Sequence, residues 1–482
     1  MKKPRPRWKS ILFRIGAVLL GLLPLLILEL ALRLFGVGKP VDHNDPFVGF
    51  SEIHPLFVLN EEKDRYEVPR SRLTHFRPES FAASKAANEH RIFVLGGSTV
   101  QGRPYAIETS FTTWLELSLK EADNSKEWQI VNCGGVSYAS YRLDLILDEV
   151  LSYQPDMIIL YPVHNNFLDY RSYSQIKYPS ETSLWPKKQA SRLRIFNLFR
   201  SWFQKSEEPQ TKPKPMLGGE ADALLDWKGG LEKYHRDDNW QRGVRAHYEA
   251  SLRKMVRKAK DASVPMLMIV PVSNLEWPPF KSQHRSDLSP DEKQRFERLH
   301  KNAVGKERET NLQAMIAIDP RYALTHYELG LLYIHQGRLQ EAKQSLITAK
   351  DEDICPLRML ESMRKQMVTV AKETETPWIN AHEEIASRSR GRIPSRDWLV
   401  DHVHPTIRGH KLISDLIMER LIDRKIVQAR TGWKALAEKR WEKHLKSLKP
   451  DYFAIGLQRL KAVQRWARGQ ADRVRPGEKN EQ

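Results

Sequence analysis

Cysteine is nearly absent: 482 residues carry only Cys133 and Cys355. That excludes a disulfide scaffold and any Cys-x-x-Cys metal or redox motif, and it leaves open whether the two thiols pair. Cys133, beside a glycine turn, reads as a small buried residue. The glycine spacing of Gly97-Ser98-Thr99-Val100-Gln101-Gly102 lacks the Lys-Ser/Thr ending of a phosphate loop, because Arg103-Pro104 follows. Val100 stands where a Gly-x-Ser-x-Gly elbow needs its second glycine. His402, His404 and His410 show no His-Glu-x-x-His spacing, so no metal is expected, and no cofactor.

What is present is a pair of motifs far apart in the chain. Gly96-Gly97-Ser98-Thr99 follows Arg91-Ile92-Phe93-Val94-Leu95, an apolar run that reads as a buried parallel strand. Ser98 therefore falls at a strand's C-terminal edge, where open α/β sheets place their chemistry. Near the other end, Asp401 and His404 are three residues apart, close enough for the carboxylate to fix the imidazole tautomer that takes a proton from a serine. Asn132-Cys133-Gly134-Gly135-Val136-Ser137 and Val163-His164-Asn165-Asn166 also end apolar runs, Trp128–Asn132 and Asp156–Tyr161. Three strand-end loops of one sheet can converge.

In order and spacing these four blocks resemble the SGNH/GDSL hydrolase family. The resemblance implies an α/β, doubly wound parallel sheet of flavodoxin-like, three-layer form. It implies a nucleophile at Ser98, with Asp401 and His404 completing the triad. It also implies an oxyanion hole of the Ser98 N–H, a glycine-turn N–H and the Asn165 amide. For the turn donor Gly134, Gly135 and Ser137 all fit, with Gly135 assigned. The third block departs from the family pattern at Val163 and Asn166.

The remaining chain divides as follows. Met1–Ser10 has five Lys or Arg and no acid, and an uncharged stretch from Ile15 to Leu28 follows. Fourteen residues are short of the roughly 20 that cross a bilayer, but no small-x-small cleavage site follows. The expectation is an uncleaved transmembrane anchor over 1–36, with Met1 cytoplasmic and the catalytic part outside, periplasmic in a bacterium. Residues 37–88 read as a juxtamembrane segment and 89–423 as the hydrolase domain. The latter carries a loop-rich insertion at 170–244 and a helical one at 289–353. In the second insertion Leu329-Gly330, Tyr333, Gly337, Ala342 and Ala349 resemble a tetratricopeptide helix pair, which suggests a docking lobe for a protein partner. A lone pair cannot bury its own face, so it is expected to pack on the hydrolase.

The strand run Val264–Val270 places Asn274 on the next loop, and Asn274 and Arg358 are weaker candidates for substrate contact. Residues 424–482 hold sixteen Lys or Arg against six Asp or Glu, ten of the net +18. Trp433, Leu436, Trp441, Leu445 and Leu448 recur there at helical spacing. That pattern suits an amphipathic helix on anionic lipid, or a helix packed on the hydrolase. No base-reading motif accompanies the charge, so nucleic acid is not an expected partner. The function expected is a membrane-anchored serine esterase or acyltransferase acting on an O-acyl ester, such as that of an envelope polysaccharide. The alternative is a weakly active or inactive glycan-binding scaffold.

Overall fold

The structure is a computed structural model and describes residues 7–35, 37, 55–162, 164–168, 193–195, 198 and 231–470. Two compact units are present. One comprises residues 1–53 and 172–221, the other residues 54–171 and 222–482.

In the smaller unit the described part is chiefly a helix, Arg7–Leu34, with exposed side chains at Leu20, Leu23, Leu25, Leu26, Ile27 and Leu30. Glu29 is buried and accepts from Arg33 at 3.0 Å and from the Arg194 N–H at 3.0 Å. Among the described residues no helix is long and apolar enough to cross a membrane. Most of the 170–244 insertion lies outside the described residues.

The larger unit is built on five parallel strands: β4 (Glu89–Gly96), β5 (Glu127–Gly134), β6 (Met157–Tyr161), β7 (Met266–Ile269) and β8 (Trp378–Ile379). Their spatial order is β5-β4-β6-β7-β8, the doubly wound order in which the chain reverses direction across the sheet beside the first strand. The first four coincide with the apolar runs of the sequence, as expected for strands buried on both faces. β8 has two residues and gives no such run.

One face of the sheet presents Ile92, Val94, Ile130, Ile159, Leu267 and Ile269 to the helices Phe111–Ala122, Ile407–Asp423 and Trp433–Ser447. On the opposite face pack Ser140–Val150, Asp238–Asp261 and Glu361–Glu373, giving three layers. Three short antiparallel strands precede the sheet: β1 (Val58–Asn60), β2 (Arg65–Glu67) and β3 (Ser80–Ala82). They lie within residues 37–88, the stretch expected to be juxtamembrane. Phe57, Phe81, Phe93 and Tyr153 form one aromatic cluster joining the strands to β4, with Phe57–Phe81 centroids 4.9 Å apart and Phe81–Phe93 5.3 Å.

The second insertion is four helices, Pro290–Lys301, Arg308–Ile318, Ala323–His335 and Leu339–Asp351. The last two form a hairpin in which Gly330 lies against Leu346. Its core includes Leu275 and Ile393 of the surrounding domain, and Tyr327 donates to the Glu276 carbonyl at 2.9 Å, so the lobe packs on the rest of the larger unit.

In the basic tail the second of the two expected arrangements is seen, a helix packed on the rest of the unit. Trp433 and Trp441 are buried in the main core, with Leu445 packed against it. Trp441 meets Trp114 edge to face at 5.9 Å and donates Nε1–H to its carbonyl at 3.3 Å. Trp433, Trp441 and Leu445 of the apolar stripe are thus used internally, whereas Leu436 is exposed.

Candidate active site

Parallel register aligns the three strand ends: Gly96 lies opposite Gly134 of β5 on one side and Tyr161 of β6 on the other. The loops carrying Ser98, Ser137 and Asn165 therefore leave the sheet side by side, at its C-terminal edge. Ser98 opens a single helical turn, Ser98–Gln101. That turn is pinned to the next loop by Asn132, whose amide donates to the Val100 carbonyl at 2.7 Å and to Thr112 Oγ1 at 2.8 Å while its oxygen accepts from the Gly134 N–H at 2.9 Å. Gln101 adds bonds to the carbonyls of His75 (2.8 Å) and Gly134 (3.2 Å). The approach is so close that a Cβ on Gly134 would sit 2.3 Å from the Gln101 nitrogen.

Ser98, His404 and Asp401 form one hydrogen-bonded chain. Ser98 Oγ is 2.7 Å from His404 Nε2, and His404 Nδ1 is 2.6 Å from Asp401 Oδ2. Asp401 Oδ1 accepts from the N–H groups of Val403 (2.9 Å) and His404 (2.8 Å). Burial raises the Asp401 pKa, but the imidazoles of His404 and His402 and the hydrogen bonds from His404 outweigh it. The carboxyl is held well below the usual carboxylate range. An ionised Asp401 has no proton to give, so His404 Nδ1 carries one and Nε2 presents its lone pair to the serine.

The oxyanion side departs from the sequence assignment. The Gly135 N–H donates to the Gly96 carbonyl at 3.0 Å, the Gly134 N–H is taken by Asn132, and the Val136 N–H donates to the His75 carbonyl at 2.9 Å. Gly135 is therefore not the free donor. Ser137, in the left-handed region at φ 61°, has an N–H without a partner among the described residues, and it is the remaining donor of that turn. Asn165 begins a short turn after β6, is half-buried, and its amide makes no bond among the described residues. The neighbouring Asn166 is committed, accepting from the Ser140 N–H at 3.1 Å. Val163 lies outside the described residues.

Asn274 and Arg358 are corrected from substrate contacts to internal braces. Asn274 is 4% exposed; its amide donates to the Asp401 carbonyl at 3.0 Å and its N–H to the His402 carbonyl at 2.9 Å. Arg358, 1% exposed, donates to the carbonyls of Asn274 (3.0 Å) and Trp277 (2.6 Å). The guanidinium holds the loop that holds the aspartate.

Sequence reasoning missed Asn132, Gln101 and His164. His164 Nδ1 accepts from the Met359 N–H at 3.1 Å, so the ring proton sits on Nε2. Burial, with the neighbouring His402, pushes its pKa down to about 3. Cys133 and Cys355 are both buried and free. Among the described residues no cluster of three or more His, Cys, Asp or Glu is arranged for a metal ion.

No family model matches the chain, and no curated protein matches it. Among solved structures it is similar to a lipase/acylhydrolase from Enterococcus faecalis, with TM-score 0.33 and 11% identity over 71% of this chain and 100% of that one. It is also similar to a GDSL-like lipase from Bacteroides thetaiotaomicron, with TM-score 0.32 and 10% identity over 71% and 93%. An acetyl xylan esterase from Geobacillus stearothermophilus gives TM-score 0.31 and 12% identity over 70% and 95%. The likeness is distant in each case, and what the site can do follows from its own atoms.

Proposed function

We propose that the protein is a serine ester hydrolase or acyltransferase whose nucleophile is Ser98. The observation that carries this reading is the unbroken chain from Ser98 Oγ through His404 to Asp401, at 2.7 and 2.6 Å. His404 Nε2 takes the hydroxyl proton as Oγ attacks an ester carbonyl, and returns it to the leaving alkoxide as the acyl-enzyme forms. Asp401 keeps the tautomer and stabilises the imidazolium. The developing oxyanion is met by the N–H groups of Ser98 and Ser137 and by the Asn165 amide. A second nucleophile, water or an acceptor hydroxyl, then releases the acyl group. An O-acetyl or other short acyl ester of a saccharide is the substrate class proposed. The N-terminal helix, with its basic tip and exposed leucines, is proposed to tether the chain to a membrane with Met1 on the cytoplasmic side. N-terminal sequencing of the membrane fraction tests the tether; a mature start after about residue 36 would remove it.

The chemistry is tested by incubating purified protein with a fluorophosphonate probe and with p-nitrophenyl acetate. Wild type should label once per chain and turn over the ester. Ser98→Ala should do neither, and His404→Ala should lose turnover comparably. A folded wild type inert to both reagents would leave a saccharide-binding scaffold as the better account. Full labelling of Ser98→Ala would place the nucleophile elsewhere.

A further inference from the structure

The helical insertion closes through a segment that carries buried polar groups. Its last helix, Leu339–Asp351, bears Lys350 in the final turn; the residue is 2% exposed, and its Nζ donates to Asp351 and to the Met359 carbonyl at 2.9 Å. Just beyond the helix, Asp353 accepts from the N–H groups of Phe280 at 2.7 Å, Lys281 at 3.0 Å and Cys355 at 3.0 Å. It also lies 3.8 Å from the Arg358 guanidinium. Buried ionic groups add little stability over apolar side chains of the same shape, so stability alone does not account for them. What they supply is direction, since each polar atom aims at one backbone group.

Those targets lie on both halves of the candidate active site. Arg358 donates to the carbonyls of Asn274 at 3.0 Å and Trp277 at 2.6 Å, and Asn274 in turn holds the Asp401 and His402 carbonyls on the loop of the acid. The very next residue reaches the other half. Met359 donates its N–H to His164 Nδ1 at 3.1 Å, and His164 immediately precedes Asn165 on the loop after β6. The Met359 carbonyl is the one that Lys350 grips. Adjacent Cα atoms sit about 3.8 Å apart across a planar peptide, so the acid loop and the oxyanion loop are referenced to one another through a single rigid unit. Among the described residues none of Lys350, Asp353 and Arg358 hydrogen-bonds to Ser98, His404 or Asp401. Their reach to the chemistry runs through the loops.

We propose that Arg358 and Met359 form a positioning clamp that sets the Asp401 loop against the Asn165 loop, and that the helical insertion keeps this clamp in register through Lys350 and Asp353. The effect on turnover rests on the ester-hydrolase reading; the clamp does not.

The test uses the full chain and three variants. Arg358→Lys keeps the charge but not the fork, Lys350→Met keeps the length but not the charge, and Lys293→Met is a control at an exposed position of the insertion's first helix. Turnover of p-nitrophenyl acetate is measured beside the low-field proton NMR signal of His404 Nδ1–H, which the bond to Asp401 Oδ2 at 2.6 Å should produce in wild type. Arg358→Lys should lower kcat by about tenfold or more with KM nearly unchanged, and should shift that signal, because it loosens the acid arm. Lys350→Met should lower kcat to a similar degree, leave the His404 signal in place and move the ring-nitrogen signals of His164 instead. Its melting temperature should match or exceed that of wild type, which a merely structural role would not allow. Lys293→Met should change nothing. Full kcat with unmoved signals in both clamp variants overturns the proposal, and so do losses of kcat that simply follow a lowered melting temperature. If Arg358→Lys does not fold, Asn274→Ala reads the same arm. A wild type without turnover whose variants still move the two histidine signals would keep the clamp and sink the hydrolase. Brisk turnover indifferent to both variants would do the reverse.

Discussion

Replacing Asp401 by asparagine exchanges one carboxylate oxygen for an NH2 group and should nearly silence ester turnover while leaving the fold intact. The outcome is dictated by Oδ1, which accepts two backbone N–H groups, from Val403 and His404. An amide nitrogen cannot face two donors, so in Asp401→Asn the oxygen stays there and the NH2 occupies the Oδ2 position, 2.6 Å from His404 Nδ1. That NH2 donates, Nδ1 must accept, and the ring proton moves to Nε2. The face presented to Ser98 Oγ is then an N–H rather than a lone pair. The serine cannot be deprotonated. The equivalent exchange in a Ser-His-Asp protease lowers kcat about 10⁴-fold, and the same wrong tautomer is expected here, about 5 kcal/mol at 1.36 kcal/mol per decade. Initial rates on p-nitrophenyl acetate should show the loss in kcat with KM little changed, and thermal melts should agree with wild type within a few degrees. Activity should remain above the Ser98→Ala floor, because the oxyanion donors are untouched. A variant within tenfold of wild type would mean that Asp401 does not select the tautomer.

Asn165→Asp should lower kcat by about 10²–10³, since a donor to the oxyanion becomes a like charge; wild-type rates would remove Asn165 from the site. Ser137→Gly should keep activity and match or exceed wild-type stability, as glycine adopts φ 61° without penalty, while Ser137→Val should lose both. Trp441→Ala should cost about 3–5 kcal/mol by opening a cavity against Trp114, read from urea melts; a cost under 1 kcal/mol would mean that the tail helix is not part of the core. His410, buried neutral and depressed to about 3, contributes a loss of stability as pH falls from about 6.5 toward 4, because only the unfolded chain takes up its proton there. Glu79 and Asp353, raised to about 7 by burial, and Asp415, raised to about 6, oppose it, since the folded chain protonates them first. His410→Gln should therefore reduce whatever stability is lost between pH 7 and pH 5, read from denaturant midpoints; an unchanged difference between the two pH values would contradict this.

The sequence disclosed what is local and periodic. Interior parallel strands are apolar on both faces, so β4 to β7 announce themselves, and Asp401-x-x-His404 is compact enough to be read as a pair. The turn after β5 was not legible in that way. Which N–H stays free depends on Ser137 taking a left-handed φ and on Gly135 reaching back to Gly96, neither of which composition encodes. Asn274 and Arg358 look the same in sequence whether they face solvent or clamp a carbonyl. The tail shows the same ambiguity, because an apolar stripe between lysines fits lipid and protein equally until Trp114 is found opposite Trp441. β1 to β3 are three residues each, too short to show an alternation.

The closing helix has a bearing on when the molecule becomes active. His404 emerges 306 residues after Ser98, about 15–60 s later at ordinary rates of synthesis. Even then the wall is unfinished: Gln464 must still reach the Val400 carbonyl, one residue before Asp401, and Arg459 the loop beyond Ser98. A nascent chain therefore carries its nucleophile as an ordinary serine until His404 has been made. On the proposed reading, chains cut short before residue 404 lack the general base, so activity reports only molecules made past that point.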